Sequence, residues 1–419
     1  MFVRGGIKNM KYNFDKVIDR TGTNCSKWDL RKEVFGREDV LPMWVADTDF
    51  EAPKEVTKAM EERLKHGIYG YTYRPETFNK SIINWMKKRH GWDVEDEWIT
   101  FSPGVVPALS IAINTFTYPG DRVIIQTPIY PPFQSIVEEN GRIRIDNELV
   151  LIDGRYYMDI DKLNEQIKIA NSSFTNNTPN ENREFDQRIK LLLFCNPHNP
   201  TGRVWTKDEL LKIGEICLEN DILIVSDEIH SDIIYKGHKH IPIASLSKEL
   251  EQNTITCIAP SKTFSLAGLS TSAVIIPNNK IRDLFTNTLN KLAIGGGNIF
   301  GNIALEAAYN YGEDWLEEFL VYLEGNLNYL MKYFEERIPK IKPIQPEATY
   351  LVWLDCKELG LEGKELVDFF VNEAKVGVNP GFTFGESGSS FVRLNIGCPR
   401  SVLEEGLNRI EKAVKRLNE

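Results

Sequence analysis

No apolar run in this 419-residue chain approaches the roughly 18 residues that a membrane-spanning helix needs. The amino end also lacks the apolar core and small-residue cleavage site of a secretory leader, so a cytoplasmic protein is expected. Met10 serves as well as Met1 for a start, because residues 1–9 show no pattern that would pack. Cysteine is sparse: Cys25, Cys195, Cys217, Cys257, Cys356 and Cys398 are scattered without a C-x-x-C pair. Cys195 and Cys257 fall inside apolar runs, and free core thiols suit a reducing compartment. Positive charge is in deficit as well, at a net −10, so nucleic acid is not an expected partner.

What is present is ordinary for a globular protein, with 42% hydrophobic and 26% charged residues. The length points to about two domains. Short β-branched runs at 122–126, 190–195, 222–226, 254–258 and 272–276 alternate with helix-period stretches such as 207–218 and 280–292. Continuous apolar strands separated by helices predict an α/β fold, a mostly parallel sheet sandwiched by helices. Past about 301 the pattern turns to long helices (302–311, 314–337, 401–417) and two strand-like runs (350–354, 391–396), which predicts a smaller α+β domain. The expected division is 53–300 for the large domain and 1–52 plus 301–419 for the small one. A stretch rich in Asn, Ser and Thr, within 171–188, has no hydrophobic period and reads as a surface insertion.

In open parallel sheets ligands bind beyond the carboxyl ends of the strands. Three successive runs here end in unusual company: Asn-Pro-His-Asn-Pro-Thr-Gly at 196–202, Asp-Glu-Ile-His at 227–230, and Ser-Lys at 261–262. Taken singly, the first could be a double turn and Asp227 a helix cap. Together they match what pyridoxal phosphate requires. Lys262 is the amine that captures the aldehyde, Asp227 the anion that keeps the ring nitrogen protonated, and Asn199 the donor to the ring oxygen. A lysine held near a sheet end rather than on a solvated face suits this, because desolvation frees its lone pair.

These segments, with Arg393, resemble the fingerprint of the class I/II aminotransferase superfamily, fold type I of the pyridoxal phosphate enzymes, from about residue 13 onward outside the insertion. The longer strings MWVADTDF at 43–50, YGYT at 69–72, PGVVP at 103–107, PIYPPF at 128–133, CNPHNPTGRVW at 195–205 and SKTFSLAG at 261–268 resemble the MalY/PatB-type cystathionine β-lyases. The resemblance implies that Tyr130 stacks on the cofactor ring, that Gly104, Val105 and Val106 present backbone N–H groups to the phosphate, and that Arg393 grips the substrate α-carboxylate. Their structural alternatives are a core aromatic, an ordinary helix start and a buried ion pair. It further implies a homodimer in which Tyr71, or the nearby Tyr69, reaches the neighbouring subunit's site, and cleavage of the Cβ–S bond of an amino-acid thioether such as cystathionine.

The chain departs from many members of the superfamily at His230, where a tyrosine is usual, at Ser270, where an arginine is usual, and at Ala259, where a serine is usual. The implied phosphate shell therefore leans on other donors, Ser261 and Tyr71 among them. His230 reads either as a cofactor contact or as a structural histidine. His230, His238 and His240 have no cysteine or carboxylate at ligand spacing, so no metal is expected. Transamination by the same residues, and a regulatory or interaction role on an inherited enzyme fold, stay open at this point.

Overall fold

The computed structural model describes residues 11–172 and 188–417. Its main sheet has seven strands: β1 (Ile99–Ser102), β2 (Arg122–Ile125), β3 (Ile143–Asp146), β4 (Ile189–Cys195), β5 (Leu223–Asp227), β6 (Thr254–Ile258) and β7 (Ser272–Ile275). Their order across the sheet is β1-β7-β6-β5-β4-β2-β3. The run from β3 to β6 is parallel throughout, and β7 is antiparallel to both of its neighbours. That reversal follows from the connection: β6 and β7 are joined by a turn and a single 3-10 turn at Ala267–Leu269, with no crossover helix to return the chain.

The longer helices are α1 (Lys54–His66), α2 (Glu76–Trp85), α3 (Val105–Phe116), α4 (Pro131–Glu139), α5 (Ile160–Ser172), α6 (Lys207–Glu219), α7 (Asn279–Lys291), α8 (Ile299–Tyr311), α9 (Glu313–Arg337) and α10 (Arg400–Leu417). Strand β4 shows why the sheet needs cover on both faces. Leu191, Leu193 and Cys195 pack with Ala108 of α3, Phe133 of α4 and Phe285 of α7. Leu192 and Phe194 point the other way, into Leu163 of α5 and Leu210 and Ile213 of α6. Burying each such leucine contributes about 1.5–3 kcal/mol. Helix α6 starts where it does because Thr206 Oγ1 accepts from Glu209 N at 3.3 Å while Glu209 Oε2 accepts from Thr206 N at 2.8 Å.

A second, antiparallel sheet is built on β8 (Leu351–Asp355) and β9 (Phe391–Asn395), flanked by Lys342–Pro343 and Asn379–Pro380. Helices α9 and α10 cover it through Leu327, Leu330, Leu403 and Leu407. The segment at 41–43 runs against this unit: Leu41–Pro42 pairs with Val376–Gly377, and Asn395 N donates to Met43 O at 2.9 Å. Helix α8, which starts at Ile299, packs Ala304, Leu305 and Ala308 into the same core as Val56 of α1 and Ile82 of α2. Of the Asn-rich stretch, residues 171–172 close α5; most of the remainder, and residues 1–10, lie outside the described residues.

Candidate active site

Strands β4, β5 and β6 lie side by side and parallel, so the segments leaving them bring Asn199, Asp227 and Lys262 to one end of the sheet. Lys262 sits in a turn closed by Phe264 N donating to Pro260 O at 2.9 Å and Leu266 N to Ser261 O at 3.1 Å. Its Nζ donates to Ala46 O at 2.7 Å, a carbonyl that also accepts from the Tyr350 hydroxyl at 3.0 Å. Burial, and then the nearby Arg393 guanidinium, lowers the amine to about 8 against the pull of Asp47 and Asp227.

Asp227, the last residue of β5, is buried and is pushed up to about 7 by desolvation, despite the Ile229 N–H that donates to its Oδ1 at 3.0 Å and the charge of Lys262. An acid and an amine, both displaced toward neutrality, therefore feel each other's charge. Such paired displacement marks a candidate functional site.

Arg393 projects from β9 into the same place. Its Nη1 donates to Asn199 Oδ1 at 2.9 Å, and its Nη2 donates to Asn379 Oδ1 at 2.6 Å and Trp44 O at 3.2 Å. The ring of Phe384 lies 4.9 Å from the guanidinium carbon, and the buried Nε has no partner among the described residues. Among the described residues no carboxylate pairs with Arg393, and desolvation lowers it to about 10. A buried cation short of one acceptor is suited to bind an anion.

The loop carrying Asn199 is rigid for local reasons. Gly202 N donates to His198 O at 2.8 Å, and His198 is itself locked between Thr201 Oγ1 at 2.9 Å and Gln126 O at 3.1 Å. Burial drops His198 to about 3, so it is a neutral structural group. Tyr130 N donates to Asn199 O at 3.1 Å, which places Tyr130, at the start of α4, beside this loop; burial, as the largest influence, raises its hydroxyl.

Gly104 occupies the start of α3, where no side chain caps the helix, and Val105 and Val106 form its first turn. The N–H groups there lack intrahelical acceptors, which makes the end an anion site. Ser261 is partly buried in the Lys262 turn, and Ser270 adopts a left-handed φ of 46° after the short 3-10 turn.

His230 is buried, with its Nδ1 unpartnered and its ring 6.2 Å from that of Tyr350; burial lowers it to about 3. His240 Nε2 lies 2.8 Å from Glu228 Oε2, and His238 is exposed. Tyr71 is fully exposed and hydrogen-bonds to none of these groups, whereas Tyr69 is tied to its own chain through Leu64 O at 2.9 Å. The structure thus gathers Lys262, Asp227, Asn199, Arg393, Tyr130 and His230, and leaves Tyr71 pointing outward.

Several contacts of this site carry no sequence signal of their own. Ala46 and Trp44 act through backbone carbonyls, which no side-chain pattern marks. Asn379 and Tyr350 come from the small sheet and meet the site only through folding.

Residues 38–410 match the family described as "Aminotransferase class I and II". The chain belongs to the class I and II aminotransferase family. Among its relatives is the cystathionine β-lyase PatB of Bacillus subtilis (strain 168), 46% identical over 96% of this chain and 100% of that protein. The MalY protein of Escherichia coli (strain K12) is 31% identical over 96% and 99%. Cystalysin from Treponema denticola, solved with pyridoxal 5'-phosphate, superimposes on this class I and II aminotransferase chain with a TM-score of 0.89 at 37% identity, covering 97% of this chain and 100% of that one. The pyridoxal phosphate-bound C–S lyase of Staphylococcus hominis gives 0.86 at 34%, over 97% and 98%.

Proposed function

We propose that the chain is a pyridoxal phosphate-dependent C–S β-lyase that cleaves the Cβ–S bond of cystathionine and related thioethers to thiol, pyruvate and ammonia. The observation that carries the site is the meeting of the lowered Lys262 amine, the buried Asp227 and the under-paired Arg393 beyond three adjacent strand ends. The choice of lyase within the family rests on the near full-length similarity to PatB and to the C–S lyase from Staphylococcus hominis.

The residues fit the cofactor on their own chemistry. The uncapped start of α3 at Gly104, Val105 and Val106 suits a phosphate, with Ser261 as a further donor. Asp227 suits a ring nitrogen, Tyr130 a ring face, and Asn199, whose Oδ1 is taken by Arg393, keeps its amide N–H groups for a ring oxygen. His230, whose Nδ1 has no partner among the described residues, feels the charges of Lys262 and Arg393. Bound there, pyridoxal phosphate supplies an aldehyde for Lys262 and a cationic ring that withdraws electrons from the substrate Cα.

The chain supplies the rest. Arg393 holds the substrate carboxylate and so fixes which bond at Cα faces Lys262. The Lys262 amine, neutral above about 8, removes the Cα proton and returns it toward the departing sulfur. With cystathionine and one water the products are homocysteine, pyruvate and ammonia. We further place the active unit in a homodimer with Tyr71 reaching the neighbouring site, and the enzyme in the cytoplasm, in sulfur amino acid metabolism. The outward Tyr71 and the five buried free thiols support this reading; among the described residues no helix is long and apolar enough to cross a membrane.

Replacing Lys262 by alanine tests the assignment. The variant is expected to lose the visible absorption of the bound cofactor and at least about a thousandfold of its pyruvate production. A Lys262→Ala protein that keeps both would remove the lysine from the mechanism.

A further inference from the structure

Asp232 lies in the turn that leaves β5, beyond Asp227 and His230, and is buried. Its Oδ2 accepts from Thr263 Oγ1 at 2.9 Å. Its Oδ1 accepts from Trp85 Nε1 at 3.0 Å and lies 3.1 Å from His90 Nε2. Desolvation works to raise this carboxyl, yet His90, Arg89 and Thr263 together hold it below its ordinary value, so it stays an anion.

The position of these partners matters more than their number. Trp85 ends α2, His90 closes the helical turn Met86–His90, and Thr263 is the fully buried neighbour of Lys262. One carboxylate therefore pins together the end of α2, the turn carrying Asp227 and His230, and the turn carrying Lys262. The lysine turn is also held by Lys262 Nζ on Ala46 O and by the Ser265 hydroxyl against that of Thr48. Hydrocarbon at position 232 would hold α2 against the sheet without desolvating a charge. A directional acceptor does something hydrocarbon does not: it fixes the rotation of the Thr263 side chain and with it the turn.

We infer that Asp232, acting through Thr263, is a positioning residue that sets where the Lys262 amine stands relative to Asp227. This rests on the reading of Lys262 as the cofactor-capturing lysine. It requires that loss of the Thr263 hydroxyl slow the chemistry of the amine while leaving substrate affinity nearly unchanged, and that serine, which keeps the oxygen, restore it.

The test uses the full chain stripped of cofactor, mixed with pyridoxal phosphate, with visible absorbance followed in time and pyruvate formation measured on the reloaded protein. Thr263→Val is expected to capture cofactor about tenfold more slowly and to lose a similar factor in kcat with KM within about twofold. Thr263→Ser is expected within about twofold of the wild-type capture rate. Thr263→Ala removes the same oxygen with less bulk, and supplies the reading if the valine variant does not fold. Wild-type capture by the variants lacking the oxygen, or a serine variant as slow as they are, overturns the inference. A wild-type chain that develops no visible band refutes the Lys262 assignment itself, and the two failures are told apart by that control.

Discussion

Lys262 and Asp227 are displaced toward each other's titration range by the same cause, removal from water, and each is partly restored by the other's charge. The direction has a kinetic consequence. An amine lowered to about 8 is protonated and inert below that value and free to attack above it, where an ordinary lysine at 10.5 would still be charged. The rate at which cofactor-free protein captures pyridoxal phosphate is therefore expected to rise with pH and level off just above about 8; a rate still climbing through pH 10 would contradict the burial argument. At this scale the candidate site was legible in the sequence where a side chain makes the contact. Asn199, Asp227 and Lys262 announce themselves because each follows an apolar run. Ala46, which receives the Lys262 amine, was not legible, since a backbone carbonyl leaves no mark in composition. Asp232 was passed over for a related reason: its partners, Trp85, His90 and Thr263, are far apart in the chain.

The loop at 196–203 is the element on which the site turns, because it joins the main sheet to the smaller unit. Gly202 O accepts from Glu347 N at 2.8 Å and Ala348 N at 2.9 Å. Gly202 has a φ of 70°, and a Cβ there would meet Pro346 Cβ at 2.5 Å and its Cα at 2.9 Å. Gly202→Ala is expected to cost about 3 kcal/mol, from backbone strain and the clash together, and to lower the melting temperature measurably by calorimetry. An alanine variant that melts with the wild type would mean the loop moves freely. The same scale shows where pattern reading succeeds. Central strands β4, β5 and β6 are buried on both faces and read as runs dominated by apolar and β-branched residues. Edge strands β1 and β3 escaped it, since β3 alternates isoleucine with Arg144 and Asp146 and is only partly buried. The reversed direction of β7 escaped it too, because direction is set by the connection rather than by the strand's own residues.

At the scale of the whole molecule, the site draws Lys262, Asp227 and Asn199 from the main sheet and Arg393, Asn379 and Tyr350 from the smaller unit, so its geometry depends on how the two are packed. Tyr71 takes no part in it within one chain. If the neighbouring subunit supplies that tyrosine, mixing and reassociating inactive Lys262→Ala and Tyr71→Ala proteins is expected to restore about a quarter of wild-type activity, through mixed dimers that hold one intact site each. No recovery, with mixed dimers demonstrated by mass spectrometry, would remove Tyr71 from the shared site. The account as a whole stands on the fate of the substrate's sulfur. Purified protein given cystathionine, with no keto acid added, should release homocysteine, pyruvate and ammonia in equal amounts. Consumption of cystathionine only when a keto acid acceptor is supplied, with the C–S bond left intact, would contradict it.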